Sequence, residues 1–344
     1  MAEFITRMVA ITPVAPDRSA LMEAAALIRT GQLVAFPTET VYGLGADGLD
    51  PKALGRIYTA KGRPADNPLI LHLSDPGQLS LVAAAVPGIA HTLIREFWPG
   101  PLTLVLPKTP RVPNLATGGL ATVAVRMPAH PVALALISAS ETPLAAPSAN
   151  RSGRPSPTTA RHVMDDLSGF LPMILDGGPT SIGVESTVLD VTCNPPALLR
   201  PGGVTREALE AAIGPLQKTV DRALHGRSPG TRHRHYSPKA RVLVLEDASQ
   251  ETFQRTVAGA LGHYQRVGCL LHRLELADAP SHVIVTQVGG AVADYAHTLF
   301  SALRHLDALE VDVIIVEGVA EEGLGVAVMD RLRRAALPPE ARLP

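Results

Sequence analysis

Apolar residues recur along the chain in two rhythms, a helical one and an alternating one, and their succession lays out the fold. Behind Asp17, Leu21, Ala24, Ala25 and Ile28 fall on one helical face, and Gly31 stands where a left-handed residue closes such a helix. A strand follows over Gln32 to Phe36. After a polar loop, Asp50 and Pro51 supply an N-cap and a proline at the first helical position. Leu54, Ile57 and Tyr58 follow at helical spacing, so a short helix delivers the chain to Lys61. Leu69 to Leu73, Leu102 to Leu106, Ala121 to Met127, Pro172 to Leu175 and Glu185 to Val191 read as strands, interleaved with helical patterns near Pro131 to Ser140 and Thr158 to Leu167. This predicts a mixed α/β domain. From about Glu207 to Lys239 the pattern weakens into a basic linker. Beyond it, strands at Val242 to Leu245, Val267 to Leu271, Val283 to Val285 and Val313 to Val316 alternate with helices near Gln250 to Leu261 and Val292 to Leu309. That alternation predicts a second, smaller parallel-sheet domain.

Composition narrows the class without changing the layout. With 344 residues, of which 46% are hydrophobic and 18% charged, the chain can build two packed cores. The formal net charge of −1 leaves no global field to gather nucleic acid or anionic membrane, so any anion site must come from local clusters. Cys193 and Cys269 form no C-x-x-C pair, which argues against a zinc ribbon or a disulfide framework. The first ten residues lack the features of a signal peptide, and no apolar run reaches the roughly 20 residues a membrane span needs. A cytoplasmic location is expected.

Several segments carry candidate chemistry. Pro64 disfavours helical backbone at Arg63, and in an extended segment Lys61 and Arg63 would project together as a point charge beside a planar fork, the pair that a polyphosphate needs. A solvated basic turn is the alternative. Ser148 and Asn150 repeat the i, i+2 arrangement after the apolar run Leu144 to Ala146, at a sheet edge where α/β proteins bind ligands. Turn formation would also explain them. The strand Ala121 to Met127 sets Thr122, Ala124 and Arg126 on one face, and the inward arginine wants an anion, either a structural carboxylate or a ligand. His72 lies opposite three leucines on its strand, where a core histidine is the commoner outcome. Ser186 opens an apolar strand, and Arg200 ends another beside Gly202 and Gly203. Four cations, Lys61, Arg63, Arg126 and Arg200, thus converge on paper.

Other motifs fail on context. Gly43, Gly45 and Gly48 satisfy G-x-G-x-x-G, but the preceding strand ends too early for a dinucleotide fingerprint, and no Walker loop occurs. Gly226, Ser228 and Gly230 match G-x-S-x-G without the strand and helix of a nucleophile elbow. His233 and His235 have no carboxylate or cysteine at ligand spacing and read as part of a mobile basic linker.

Taken in order, Pro37-Thr38-Glu39-Thr40-Val41-Tyr42-Gly43-Leu44-Gly45, Lys61-Gly62-Arg63-Pro64 through Asn67-Pro68-Leu69, Pro147-Ser148-Ala149-Asn150 and Glu185-Ser186-Thr187-Val188 resemble the YrdC-like family. The linker from Ser228-Pro229-Gly230 to Arg234-His235-Tyr236-Ser237-Pro238 resembles that of its long, two-domain threonylcarbamoyl-AMP synthase form, with Thr231 and His233 departing from the Met and Tyr frequent there. The resemblance implies a catalytic domain at residues 1–210 with a twisted mixed sheet around a concave basic cavity, a linker or lid at 211–240 and a Rossmann-like domain at 241–344.

It further implies formation of L-threonylcarbamoyl-AMP and pyrophosphate from L-threonine, bicarbonate and ATP. Mg²⁺ would be carried by ATP with no metal site of its own, and a separate transferase would complete the tRNA modification. Carried over by position, Lys61, Arg63, Asn67, Thr122, Ser148, Asn150, Ser156, Arg200 and Tyr236 are expected at ATP, with Lys61 and Arg63 catalytic. Thr40, His72, Arg126, Ala146 and Ser186 are expected at L-threonine. The competing reading is a double-stranded RNA or tRNA-binding module without turnover, which 3% aromatic residues and the near-zero net charge do not favour, although weak tRNA binding is compatible. A regulatory protein that handles carbamoyl groups without turnover is a third.

Overall fold

Ten strands of the first domain form one mixed sheet. In a computed structural model, which describes residues 4–219, 224, 226–228, 235–247, 249–277 and 279–336, they are β1 (Arg7–Ala10), β2 (Val34–Phe36), β3 (Gly43–Asp47), β4 (Ile70–His72), β5 (Leu102–Pro107), β6 (Thr122–Arg126), β7 (Leu144–Ala145), β8 (Met173–Asp176), β9 (Thr187–Asp190) and β10 (Ala197–Arg200). Their order is β1-β8-β2-β3-β7-β4-β6-β5-β9-β10. β4 runs parallel to β6 with His72 opposite Arg126, and β5 runs antiparallel to β6 with Thr103 opposite Arg126. Register thereby fixes the centre of the site, because a slip of one residue would turn both His72 and Arg126 to the other face.

The expected helices form on their predicted caps. Asp17 accepts from Ala20 N at 2.8 Å and Asp50 from Lys52 N at 2.8 Å, while Gly31 and Gly62 take the positive φ that ends each helix. The helix Arg18–Arg29 buries Leu21, Ala24, Ala25 and Ile28 against Pro131–Ser140. β3 lies where a polar loop was expected. Its glycines suit a strand here because a Cβ on Gly45 would come within 2.7 Å of the Phe36 ring. The edge strand β1 is mostly exposed and so lacks the alternation that would announce it. The helices Gly88–Phe97 and Arg206–Ile213, also not anticipated, pack against each other, and the second runs through residue 210.

The second domain has four parallel strands, β11 (Arg241–Leu245), β12 (Val267–Leu271), β13 (Val283–Gln287) and β14 (Val313–Glu317), in the order β11-β14-β12-β13. The crossovers carry the expected helices Gln250–Leu261 and Val292–Ala308, and Gly325–Ala336 follows the last strand without having been anticipated. One hydrophobic core joins the two domains: Val41 and Val184 from the first domain with Tyr236, Tyr295, Leu299 and Phe300. Contact there is backbone-close. Gly183, at φ 83°, lies so near the Val292–Ala308 helix that a Cβ would stand 2.5 Å from the carbonyl oxygens of Ala296 and His297. No described helix is long and apolar enough to cross a membrane.

Candidate active site

Where β4, β6, β9 and β10 end, loops from five parts of the chain enclose a hollow with about 550 Å³ of free space, part of it open to solvent. Nine of the expected site residues line it: Thr40, Arg63, His72, Arg126, Ala146, Ser148, Ser186, Arg200 and Tyr236. Segments more than a hundred residues apart therefore do meet around one concave, basic cavity.

Three of the four cations face that space. Arg63 is held by its Nη2 donating to Pro68 O at 2.8 Å, and burial lowers its guanidinium to about 10, still cationic at neutral pH. Arg200 donates from Nε and Nη2 to Ser186 O at 3.2 and 2.8 Å, which ties the end of β10 to the start of β9. Lys61 departs from expectation. It is the last residue of its helix, and Gly62 at φ 61° reverses the chain before Arg63, so the extended segment that would aim both side chains together does not form. Its Nζ instead donates to Ser148 O and Asn150 O, each at 2.5 Å, beneath the turn that presents Ser148. Burial, and then the neighbouring Arg63, push the Lys61 ammonium well below the usual lysine range.

At the other end of the hollow Arg126 donates from Nη1 to Thr40 Oγ1 at 2.9 Å and from Nε to Gly100 O at 3.1 Å. Its Nη2 lies 2.7 Å from Glu39 Oε1, both groups being buried. The geometry of that contact is ionic, not that of a well-aligned hydrogen bond, since neither Glu39 oxygen has a hydrogen-bond partner among the described residues. The anion beside Arg126 is thus a structural carboxylate, which does not itself line the hollow. Beside it, burial and the Arg126 charge depress His72 to about 3, which keeps its imidazole neutral. Ser186 Oγ meets Thr103 Oγ1 at 2.8 Å, completing a floor of hydroxyls.

Four expected residues stand one layer back. Asn150 Oδ1 accepts from Ser148 Oγ at 2.6 Å, and its amide nitrogen bonds the carbonyls of Arg151 and Arg154. Asn67 reaches His235 Nε2 at 3.4 Å. Ser156 donates to Glu185 Oε1 at 2.5 Å. Thr122 is half-buried at the start of β6 and does not line the hollow.

Sequence reasoning missed Glu185 and His235, both buried in the wall. His235 is therefore no part of a mobile linker. It and Tyr236 form the far wall, and Tyr236, at φ 66°, is held in a left-handed conformation unusual for an aromatic residue by stacking on Phe300 at 5.3 Å. Of the expected linker or lid at 211–240, residues 220–223, 225 and 229–234 lie outside the described residues.

Known proteins resemble this chain over most of its length. A family model described as telomere recombination matches residues 26–202, and one described as the C-terminal domain of threonylcarbamoyl-AMP synthase matches residues 204–337. A threonylcarbamoyl-AMP synthase of Pyrococcus abyssi is 52% identical over 323 residues, covering 91% of this chain and 93% of that protein. One from Bacillus subtilis is 48% identical over 324 residues, covering 92% of each. Among solved structures, Pyrococcus abyssi Sua5 complexed with L-threonine matches with a TM-score of 0.88 at 48% identity, over 96% of this chain and 97% of that one. The chain belongs to the threonylcarbamoyl-AMP synthase family.

Proposed function

We propose that this chain is a threonylcarbamoyl-AMP synthase and hence a nucleotidyltransferase, which converts L-threonine, bicarbonate and ATP into L-threonylcarbamoyl-AMP, pyrophosphate and water. One observation carries the reading: Arg63, Arg126 and Arg200 converge with Ser148 and Ser186 on a single hollow in a chain of this family. The threonine amine captures CO₂ as a carbamate, a carbamate oxygen attacks the α-phosphorus, and pyrophosphate leaves. Such a transfer needs positioning and neutralised charge more than covalent help from the protein.

Arg63 and Arg200 are assigned to the triphosphate. Lys61 serves the same end by holding the turn at residues 147–150 that presents Ser148. Asn67, Asn150, Ser156, Thr122 and Tyr236 complete the nucleotide set. Thr40, His72, Arg126, Ala146 and Ser186 are assigned to threonine, with Arg126 as the cation for its carboxylate. Mg²⁺ is assigned to enter with ATP as substrate. The adenylate would pass to a separate tRNA-modifying transferase in the cytoplasm.

Pyrophosphate release with ATP, bicarbonate and single amino acids tests this directly. Arg63→Ala is expected to lower kcat/KM for ATP about 100-fold, roughly 3 kcal/mol of transition-state stabilisation. Arg126→Ala is expected to raise the threonine KM and to leave that for ATP nearly unchanged. A folded Arg63→Ala protein that releases pyrophosphate at the wild-type rate would overturn the assignment, and an RNA-binding protein without turnover would release none.

A further inference from the structure

The innermost cation of the second domain does not stay in that domain. Arg331, on the helix Gly325–Ala336, is 1% exposed, and its Nε donates to Glu185 Oε2 at 2.7 Å. Its Nη2 donates to Pro201 O at 3.0 Å, and its guanidinium carbon lies 5.2 Å from the centre of the Tyr236 ring. Only Nη1 turns back to its own domain, to Asp330 at 2.5 Å.

Each contact in the first domain leads one step further into the hollow. Glu185 Oε1 receives the Ser156 hydroxyl at 2.5 Å. Pro201 directly follows Arg200, and Tyr236 is part of the wall. One side chain thus touches the supports of three residues assigned to the nucleotide.

We infer that Arg331 is a positioning residue for the nucleotide end of the site, contributed by the second domain. The inference rests on the nucleotide reading given above. Its physical basis is charge competition. Glu185 is a buried carboxylate next to Ser186, whose carbonyl already holds the Arg200 guanidinium. Burial by itself would raise the Glu185 carboxyl, but Arg331, and after it Arg200, hold it below the ordinary range. With Arg331 removed, Arg200 is the remaining neighbouring cation among the described residues, and a buried carboxylate left without its partner is costly enough to recruit it. Arg200 would then turn from the hollow toward Glu185, Ser156 would lose its oriented acceptor, and Tyr236 would lose the cation beneath its ring. This chain of contacts meets the threonine set only at Ser186, which Arg200 touches, and does not reach Arg126 or Thr40, so the threonine end should respond far less than the nucleotide end.

Steady-state pyrophosphate release by the full-length protein, with ATP and threonine varied in turn, tests the inference. Arg331→Met is expected to raise the ATP KM roughly 10-fold or more, with the threonine KM unchanged within about twofold. The uncharged pair Glu185→Gln/Arg331→Met is expected to recover part of that loss, because Glu185 no longer carries a charge to capture Arg200 while Asp330 keeps Arg334 as its partner, and Arg331→Lys to recover part by returning the charge. Arg333→Ala, an exposed neighbour on the same helix bound to Glu246 and Glu321, is expected to match wild type. A folded Arg331→Met protein with wild-type ATP KM, or with both KM values raised alike, overturns the positioning role. Should Arg331→Met fail to fold, the uncharged pair and Arg331→Lys decide by the same two KM values. Arg200→Ala separates the two readings. If it leaves the ATP KM untouched, the nucleotide assignment itself is wrong; if it raises the ATP KM while Arg331→Met does not, only the positioning role fails.

Discussion

His72 shows how strongly one environment acts on one residue. It lies between two strands, beside the Arg126 charge, and its proton affinity falls to about 3. In the unfolded chain the same imidazole takes up a proton near its ordinary value of about 6.5. Below that pH the unfolded state binds a proton that the folded state refuses, so stability rises with pH across this interval and is lost as pH falls from about 6.5 toward 3. The expected loss from His72 is about 1.4 kcal/mol per pH unit. Urea unfolding between pH 7 and 4 checks this, with His72→Asn expected to flatten the slope; an unchanged slope would show that the ring is not the titrating group. His162, lowered to about 4 by burial and then Arg304, acts in the same direction. Lys61 illustrates the opposite limit of legibility. Its type and its nearness to Arg63 were plain in the sequence, but its direction was set by the φ of Gly62, which the following proline does not control.

At the scale of elements, helices were the more readable part because their signals are local. Asp17, Asp50 and Thr159 each bond a backbone N–H within three residues, and apolar residues on one face follow directly in the chain. Strands without alternation were not. β3 hides behind its glycines, which are there for the neighbouring strand: the Phe36 ring occupies the place of a side chain at Gly45. Gly45→Ala is expected to force Phe36 from its position and to destabilise the first domain by about 1–3 kcal/mol, the usual cost of overpacking. Thermal unfolding of the variant measures this, and a melting temperature equal to wild type would mean that Phe36 yields without strain. Because the Gly43 end of β3 borders the hollow, the same variant should also weaken turnover.

For the whole molecule, the decisive feature is that the second domain is built onto the site and not merely tethered beside it. Arg304 joins Asp166 at 2.8 Å on one flank, Arg331 joins Glu185 at 2.7 Å on the other, and the shared core runs between them. Gly183 is where the domains approach most closely in backbone terms, since any Cβ would meet the helix Val292–Ala308. Gly183→Val is therefore expected to part the domains while each sheet stays folded, seen as a larger radius of gyration in solution scattering and a loss of pyrophosphate release; a compact, active variant would contradict the tight approach. The sequence by itself determined both α/β units, the helix starts behind Asp17 and Asp50 and most of the segments that line the hollow, because caps, alternation and short motifs act within a few residues. Which way Lys61 points, that Arg126 already has Glu39 as a partner, that His235 is buried, and that Arg331 reaches Glu185 in the wall of the hollow were decided only by tertiary structure. These depend on sheet register and on domain docking, which bring together residues as far apart as Glu185 and Arg331, and no local pattern encodes such a distance.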